Sequence, residues 1–173
     1  VGTTALAYMP NLKYVKLSAA MTEIPDRCFI EDTALEEITL PASIRKCGMT
    51  NNLNAYDGCT SLKNIFVEEG SRYFKSVDGV LYDANGATLR YYPEGKDDEK
   101  FTVPEGTIRI GARAFFGNEK LKAVVLPSTL VRIGTHAFAS CTELKDFYFF
   151  GMTAPMLEST MSSSGPFANL TLY

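Results

Sequence analysis

A phrase of 23 residues recurs along this chain and constrains its fold more than any other feature. Each copy starts with an apolar residue followed by Gly or Pro, continues with a small residue and an aromatic residue or Leu, and closes on Leu. Copies begin at Val1, Ile24, Cys47, Ile110 and Ile133. Each closing Leu opens a second phrase of the form L-x-x-I-x-L. A fixed period of this length predicts a solenoid, because one unit cannot bury its apolar face alone.

The spacing of the leading Leu residues shows where the repeat is regular. Leu12 and Leu35 lie 23 residues apart, as do Leu121 and Leu144, while the unit that opens at Leu35 carries four extra residues. Residues 62–97 form one odd unit of 36 residues. We therefore expect about six coils, of which one is irregular.

The odd unit carries the signature of a β-hairpin. Two short apolar runs, 80–82 and 89–91, flank Asn85-Gly86, a dipeptide that favours a type I′ turn. We expect this hairpin to stand off the stack or to widen one coil. Its Tyr82, Tyr91 and Tyr92 are available to stack on sugar rings or peptide, unless the hairpin folds over the neighbouring strands and buries them.

Within a regular unit, the x-I-x-L stretch alternates and predicts a strand whose Ile and Leu point inward. A second extended piece ends at Ile110 or Ile133, and the stretch A-F-x-x-C then predicts a single helical or 3-10 turn. That turn is too short to form a stable helix alone. We expect the solenoid to span 1–151 and residues 152–173 to form a C-terminal cap or the start of a further, truncated repeat.

Composition excludes several functional classes. The 173 residues carry a net charge of −3 with scattered Lys and Arg, which argues against nucleic-acid binding. No apolar run approaches the roughly 20 residues of a membrane-spanning helix. We expect no cofactor, no membrane insertion within this sequence and a monomeric chain.

Residues 1–144 resemble the BspA-like (Treponema pallidum-type) leucine-rich repeats. Their consensus is close to L-x-x-I-x-L-P-x-x-(V/L)-x-x-I-G-x-x-A-F-x-x-C, which residues 121–141 match at nearly every position. Departures at Cys28, Cys47 and Asn118 affect packing only. The resemblance implies a leucine-rich-repeat right-handed solenoid, with parallel strands and one inserted hairpin unit. It also implies a bacterial cell-surface or secreted protein, with its export signal and anchor outside this sequence.

Few residues suggest chemistry. The four cysteines are best explained as buried thiols, because two of them hold the same slot several coils apart, too far for a disulfide. His136 is the only histidine, and its variable slot predicts a solvent-facing residue. Asp78, Asp83 and Asn85 lie near two glycines, but they are sufficiently explained as turn formers. We therefore predict no enzyme activity and no metal site.

The outward positions of successive strands are the best candidate surface. We expect a non-catalytic binding module that recognises a host or bacterial surface protein or glycan through this strand-lined face. The alternative is a structural spacer or scaffold in a larger exported protein, with no ligand of its own. The candidate ligand-binding residues are Lys16, Thr39, Phe66, Val125 and Tyr148 on the strands, with Tyr91 and Tyr92 from the hairpin.

Overall fold

Hydrogen bonds between backbone groups of successive repeats wind the chain into about six coils. The computed structural model describes residues 2, 4–50, 53–158 and 171–172. Each regular coil contains a front strand from the L-x-x-I-x-L phrase, a short back strand, and a turn side formed by the A-F-x-x-C phrase. The 23-residue period therefore corresponds to one coil, as predicted.

Seven front strands are present among the described residues, all parallel to their neighbours. They form two sheets, one of three strands and one of four. Their inward residues come into register one repeat apart, as for Val124 and Phe147. The front strands are β1 (Tyr14–Lys16), β3 (Glu37–Leu40), β7 (Asn64–Val67), β11 (Lys100–Thr102), β13 (Ala123–Leu126), β15 (Asp146–Phe149) and β17 (Thr171–Leu172).

The back strands are shorter and likewise pair between coils. They are β2 (Glu23–Ile24), β4 (Lys46–Cys47), β10 (Thr88–Tyr91), β12 (Arg109–Ile110), β14 (Arg132–Ile133) and β16 (Met156–Leu157). The pair β2-β4 forms a sheet of its own, whereas β10, β12, β14 and β16 belong to a second, six-stranded sheet. The four extra residues of the second unit accompany a small hairpin of β5 (Met49–Thr50) and β6 (Leu53–Asn54).

The turn side contains no helix among the described residues, so the expectation of a helical or 3-10 turn there is wrong. Left-handed residues recur at two positions per regular turn, for example His136 (φ 55°) and Ser140 (φ 61°). A left-handed residue every fourth position interrupts helical hydrogen bonding. Intervening N–H groups instead donate to the next coil, as Phe115 does to the carbonyl of Ala137 at 2.7 Å.

Aromatic side chains stack in a column beneath the turn side. In the first half of the array the ring of Tyr56 lies 5.8 Å from Phe29 and 5.3 Å from Tyr91. In the second half the ring of Phe115 lies 4.9 Å from Tyr92, and the column continues to Phe138. The column thus has two parts, of which the first ends at Tyr91 and the second begins at Tyr92, its neighbour in the sequence.

The odd unit inserts two antiparallel strands, β8 (Phe74–Val77) and β9 (Val80–Asp83), ahead of β10. We call β8 and β9 the insert hairpin. It widens the coil, so that the front strands β7 and β11 lie in separate sheets. Strand β9 forms a partition, because Leu81 packs into the core of the first half while Val80 and Tyr82 pack into the core of the second.

The turns of the insert differ from the sequence prediction. Of Asn85 and Gly86, only Gly86 has a positive φ, in a loop closed by its N–H to the carbonyl of Asp83, so the predicted type I′ turn is wrong there. Asp78 and Gly79 both have positive φ (50° and 78°) and join β8 to β9 directly. A two-residue loop with this geometry is the type I′ hairpin turn.

A polar slot at the end of each turn bonds one coil to its predecessor. The buried thiols of Cys59 and Cys141 each lie 3.0 Å from a carbonyl of the preceding coil, and all four cysteines are buried and free, as predicted. Asn118 contributes more than packing, because its amide donates to the carbonyl of Glu94 and accepts from the N–H of Leu121.

The tight approach of the insert to β7 predicts unequal costs for two glycine substitutions. Gly79→Ala would place a methyl group 3.0 Å from the carbonyl oxygen of Lys63 and closer still to Asn64, whereas Gly70→Ala would meet nothing within 4 Å. Both glycines have positive φ, so each substitution costs about 1 kcal/mol of backbone strain. Urea denaturation should show a larger loss for Gly79→Ala, and equal losses would contradict this packing.

Truncation of the column should destabilise the array. Tyr92→Ala removes a fully buried ring and should lower the free energy of unfolding by about 3–5 kcal/mol. Tyr8→Ala, at a position 66% exposed, is the matched control and should change it by less than about 0.5 kcal/mol. Similar denaturation midpoints for the two variants would show that Tyr92 does not support the second half of the core.

Candidate functional site

The outward residues of the first front sheet form a small solvent-facing grid. Lys16, Thr39 and Phe66 lie side by side on β1, β3 and β7, in the predicted register. Lys16 is exposed and Thr39 is half-buried, while the Phe66 side chain is 42% exposed. The Phe66 ring is therefore exposed to solvent on a three-stranded sheet.

A second row of the same sheet adds another aromatic side chain. Tyr14, Glu37 and Asn64 are in register, and Tyr14 is 62% exposed. The Tyr14 hydroxyl donates to a carboxylate oxygen of Glu36 at 3.2 Å, and the Asn64 amide donates to Glu37 at 3.2 Å. Tyr14 and Phe66 thus occupy opposite corners of the grid, with hydrogen-bonding groups between them. Tyr14 is not among the ligand-binding residues predicted from the sequence.

The second front sheet presents a less exposed row. Thr102, Val125 and Tyr148 are in register on β11, β13 and β15. Val125 and Tyr148 are half-buried, and the ammonium group of Lys100 lies 5.2 Å from the centre of the Tyr148 ring. The insert hairpin separates this row from Phe66, so the strand-lined face consists of two patches. We call the two patches together the front face.

Ion pairs between coils border the front face. Lys13 lies 3.0 Å from Glu36, and Lys63 and Lys120 both pair with Asp97. These two lysines hold the pKa of Asp97 down at about 2 through hydrogen bonds and charge. Exposed pairs of this kind stabilise a fold little, and they leave the border charged but nearly balanced.

Tyr91 and Tyr92 do not belong to this surface, and their prediction as ligand-binding residues is wrong. Both are fully buried, because they continue the aromatic column into the two halves of the core. The Tyr91 hydroxyl donates to the carbonyl of Tyr56 at 3.3 Å, and the Tyr92 hydroxyl donates to Asp98 at 2.7 Å. Burial raises the pKa of both hydroxyls well above the usual value. Tyr82 is likewise buried.

A depression of about 500 Å³ on the turn side was not predicted from the sequence. It lies where the odd unit lacks a full turn between Gly58 and Gly117. One carboxylate oxygen of the buried Glu94 accepts the Gly58 N–H at 3.0 Å. Across the gap the guanidinium of Arg113 reaches a carboxylate oxygen of Asp57 at 2.7 Å. We call this site the turn-side depression.

Burial changes the acidity of these carboxyl groups. The pKa of Glu94 is raised to about 7, chiefly by burial and further by Asp57 and Glu31, against the effect of the Gly58 hydrogen bond. Burial also raises the pKa of Asp57, although the neighbouring Arg113 opposes that shift. Glu94 stands between Pro93 and Gly95, a local pattern typical of a turn, and that pattern does not reveal a missing coil segment.

The remaining candidates have structural roles. His136 is exposed on a turn, as predicted. Asp83 pairs with Arg90 at 2.6 Å, and the side chain of Asn85 accepts the N–H of Ala87, as expected of turn formers. The described residues include no cluster of three or more His, Cys, Asp or Glu side chains arranged to hold a metal ion. No helix within the described part is long and apolar enough to cross a membrane.

Comparison with known families supports the repeat assignment. The profile of the BspA type leucine rich repeat region matches the sequence in six copies, over residues 1–77 and 94–170. Residues 78–93, within the odd unit, and residues 171–173 lie outside the match. No curated protein matches the sequence significantly.

Solved structures share the fold. The pneumococcal vaccine antigen PcpA is 30% identical over 85% of this chain, with a TM-score of 0.65. A leucine-rich cell surface protein from Faecalibacterium prausnitzii is 27% identical over 82% of the chain, with a TM-score of 0.61. A leucine-rich repeat protein from Eubacterium ventriosum, 22% identical over 84% of the chain with a TM-score of 0.66, agrees in fold. The chain spans 40% of the length of PcpA, 42% of the Faecalibacterium chain and 45% of the Eubacterium chain.

The raised pKa of Glu94 predicts a pH-dependent stability. The folded state holds this proton more tightly than the unfolded state, so stability is full below about pH 4.5. It should fall as pH rises toward about 7, by up to about 3 kcal/mol at about 1.4 kcal/mol per unit. Glu94→Gln keeps an oxygen to accept the Gly58 N–H, and should flatten this slope in urea titrations at successive pH values.

Asp97→Asn is the control for this experiment. The pKa of Asp97 is lowered, so its contribution is present above about pH 4 and is lost toward about pH 2. The substitution should change stability without altering the slope between pH 4.5 and 7. An unchanged slope in Glu94→Gln would show that Glu94 is not the titrating group.

Proposed function

The chain belongs to the BspA-type leucine-rich repeat family, and we propose that it is a non-catalytic binding module of a bacterial cell-surface or secreted protein. In this proposal the front face binds a protein or glycan. The family is one of bacterial surface proteins, which suggests interaction rather than chemistry.

The observation that carries the proposal is the exposure of aromatic rings on the first front sheet. Tyr14 and Phe66 point into water from a sheet whose alternate residues, such as Ile38, are fully buried. Aromatic side chains are enriched at the centres of binding interfaces, because they bury a large area at a small entropic cost. A rigid sheet further lowers the cost of ordering them on binding.

Polar groups around these rings suit selective recognition. The amide of Asn64, the hydroxyl of Thr39 and the ammonium of Lys16 all lie within one repeat of an exposed ring. Such groups can pair with the polar groups of a protein or a sugar while the rings contact its apolar surface. The half-buried Tyr148 under Lys100 gives the second patch a related combination.

The solved relatives support a location at the bacterial cell surface for such binding. One is a pneumococcal vaccine antigen and another is a leucine-rich cell surface protein. Since this chain spans less than half of each, the ligands and anchoring of the whole protein are part of the proposal. The chemistry of the described residues favours binding over catalysis, because the one histidine lies exposed on a turn, in a variable slot.

A binding panel tests the proposal directly. The protein would be immobilised and exposed to host matrix proteins, plasma proteins, mucins and glycans, beside the variant Phe66→Ser/Val125→Ser/Tyr148→Ser. We expect saturable binding to at least one probe. The variant should bind at least about tenfold more weakly, because aromatic residues that become buried in a complex dominate its affinity. Circular dichroism would confirm that the variant is folded.

A matched control removes apolar groups elsewhere. Ile108→Ser/Val131→Ser alters two residues that are 48% and 52% exposed next to the back strands. This variant should retain full binding. Equal losses in both variants would place the binding surface elsewhere, and an absence of binding by the wild-type protein would favour a structural spacer.

A further inference from the structure

The back side of the array contains a break between two sheet edges. Among the described residues, strand β4 pairs only with β2, and β8 is the terminal strand of the six-stranded sheet that continues through β16. A groove of about 520 Å³ lies at the break, lined on one side by β4 and on the other by Phe74 of β8 and Arg90 of β10. We call it the back groove.

Regular coils show which backbone groups the break leaves available. The carbonyl of Ile108 accepts the N–H of Val131 at 2.8 Å, and that of Ile110 accepts the N–H of Gly134 at 2.8 Å. Arg45 and Cys47 hold the equivalent positions in the second coil. No backbone N–H of the described residues bonds to either carbonyl. Strand β4 therefore has the acceptors of a continuing sheet without the next strand.

The insert hairpin is the reason for this arrangement. After front strand β7 the chain enters β8 and β9, whose antiparallel pairing supplies the neighbour of β10. In a regular array a parallel back strand would lie next to β4. Here the back groove lies in that position. Unpaired edges of this kind readily accept an added strand.

Side chains along the groove define what such a strand would carry. Lys46 is exposed and points outward, while its neighbour Cys47 is buried and points inward beside Phe74. A strand paired to β4 would place alternate residues next to Lys46 and next to the apolar interior. The pattern that fits is therefore an alternation of charged and apolar residues.

One exposed cation of the groove, Arg45, favours acidic residues in a partner. Arg45 and Lys46 line the groove together with Glu23 and Asp26, while Arg90 is already paired with Asp83 at 2.6 Å. Lys46 lies 4.0 Å from Glu23. None of the described residues forms a salt bridge with Arg45, whose guanidinium lies 5.9 Å from the centre of the Tyr73 ring.

We propose that the back groove binds an extended acidic peptide segment of a partner protein, which pairs with β4 as an added strand. Its N–H groups donate to the carbonyls of Arg45 and Cys47. Its carboxylates lie beside Lys46 and Arg45, and its apolar residues lie toward Phe74. Main-chain pairing then supplies affinity and the side-chain alternation supplies selectivity. This surface is separate from the front face.

Fluorescence polarisation with short dye-labelled peptides tests the proposal. The probe is a six-residue peptide alternating valine and glutamate, and its counterpart alternates valine and lysine. We expect the acidic peptide to bind at low salt and the basic one to bind at least about tenfold more weakly. Lys46→Glu should weaken binding of the acidic peptide about three- to tenfold, since one attraction becomes a repulsion.

Backbone pairing is tested separately from charge. The acidic peptide would be N-methylated at its valines in one version and at its glutamates in another. A strand that pairs through one edge must lose about tenfold or more in affinity in one of the two versions. Unchanged binding of both versions would overturn the proposal, because it would leave only nonspecific charge attraction.

Two controls complete the experiment. Arg132→Glu reverses an exposed charge on β14, which is paired on both edges, and should leave the affinity within twofold. The front-face triple variant should bind the peptide normally, so failure of the proposed function and of this inference are distinguishable. No binding of the acidic peptide would overturn the inference. So would a dimer of the chain that excludes the peptide, since a second copy would then occupy the groove.

Discussion

Hydrogen bonds between equivalent backbone groups of successive coils are the constraint on which this structure depends. They run along the front strands, the back strands and the turn side, where left-handed residues release N–H groups toward the next coil. Because each ladder fixes the same register, a residue type repeated every 23 positions becomes a column in space. The aromatic column and the polar slot of Cys59, Asn118 and Cys141 are consequences of that register. Neither could form if one ladder slipped by a single residue.

The odd unit shows what is required when these ladders are interrupted. On the turn side a carboxylate oxygen of Glu94 accepts the Gly58 N–H that in a regular coil would reach a peptide carbonyl. In the core, Tyr91 and Tyr92 continue the aromatic column into opposite halves. Side chains thus replace backbone groups at the interruption. A buried carboxyl group is a costly substitute, and its proton is held tightly for that reason.

Sequence alone predicted the periodic part of this molecule and little of the aperiodic part. The alternation around Val124 and Leu126 identifies a strand and its buried face, because a period of two has one structural meaning. The sequence left exposure and burial of Tyr91 and Tyr92 as alternatives, since alternation in a hairpin does not reveal that both of its sides are covered. Asp78-Gly79 and Asn85-Gly86 are both suited to a type I′ turn, and only the strand ends show which pair forms it. Glu94 was missed because its partner, Gly58, lies 36 residues away in the irregular unit.

The regular coils and the interrupted unit each provide a different kind of recognition surface. A regular coil satisfies its own backbone groups and offers a partner only the side chains at variable positions, as with Phe66 on β7. An interrupted ladder offers backbone groups as well, because strand β4 ends a sheet within the array. Side chains at a periodic face change one at a time without disturbing the fold, whereas the edge at β4 exists only while the insert hairpin does. Loss of that insert would therefore be expected to restore a continuous back sheet and remove the back groove, leaving the first front sheet intact.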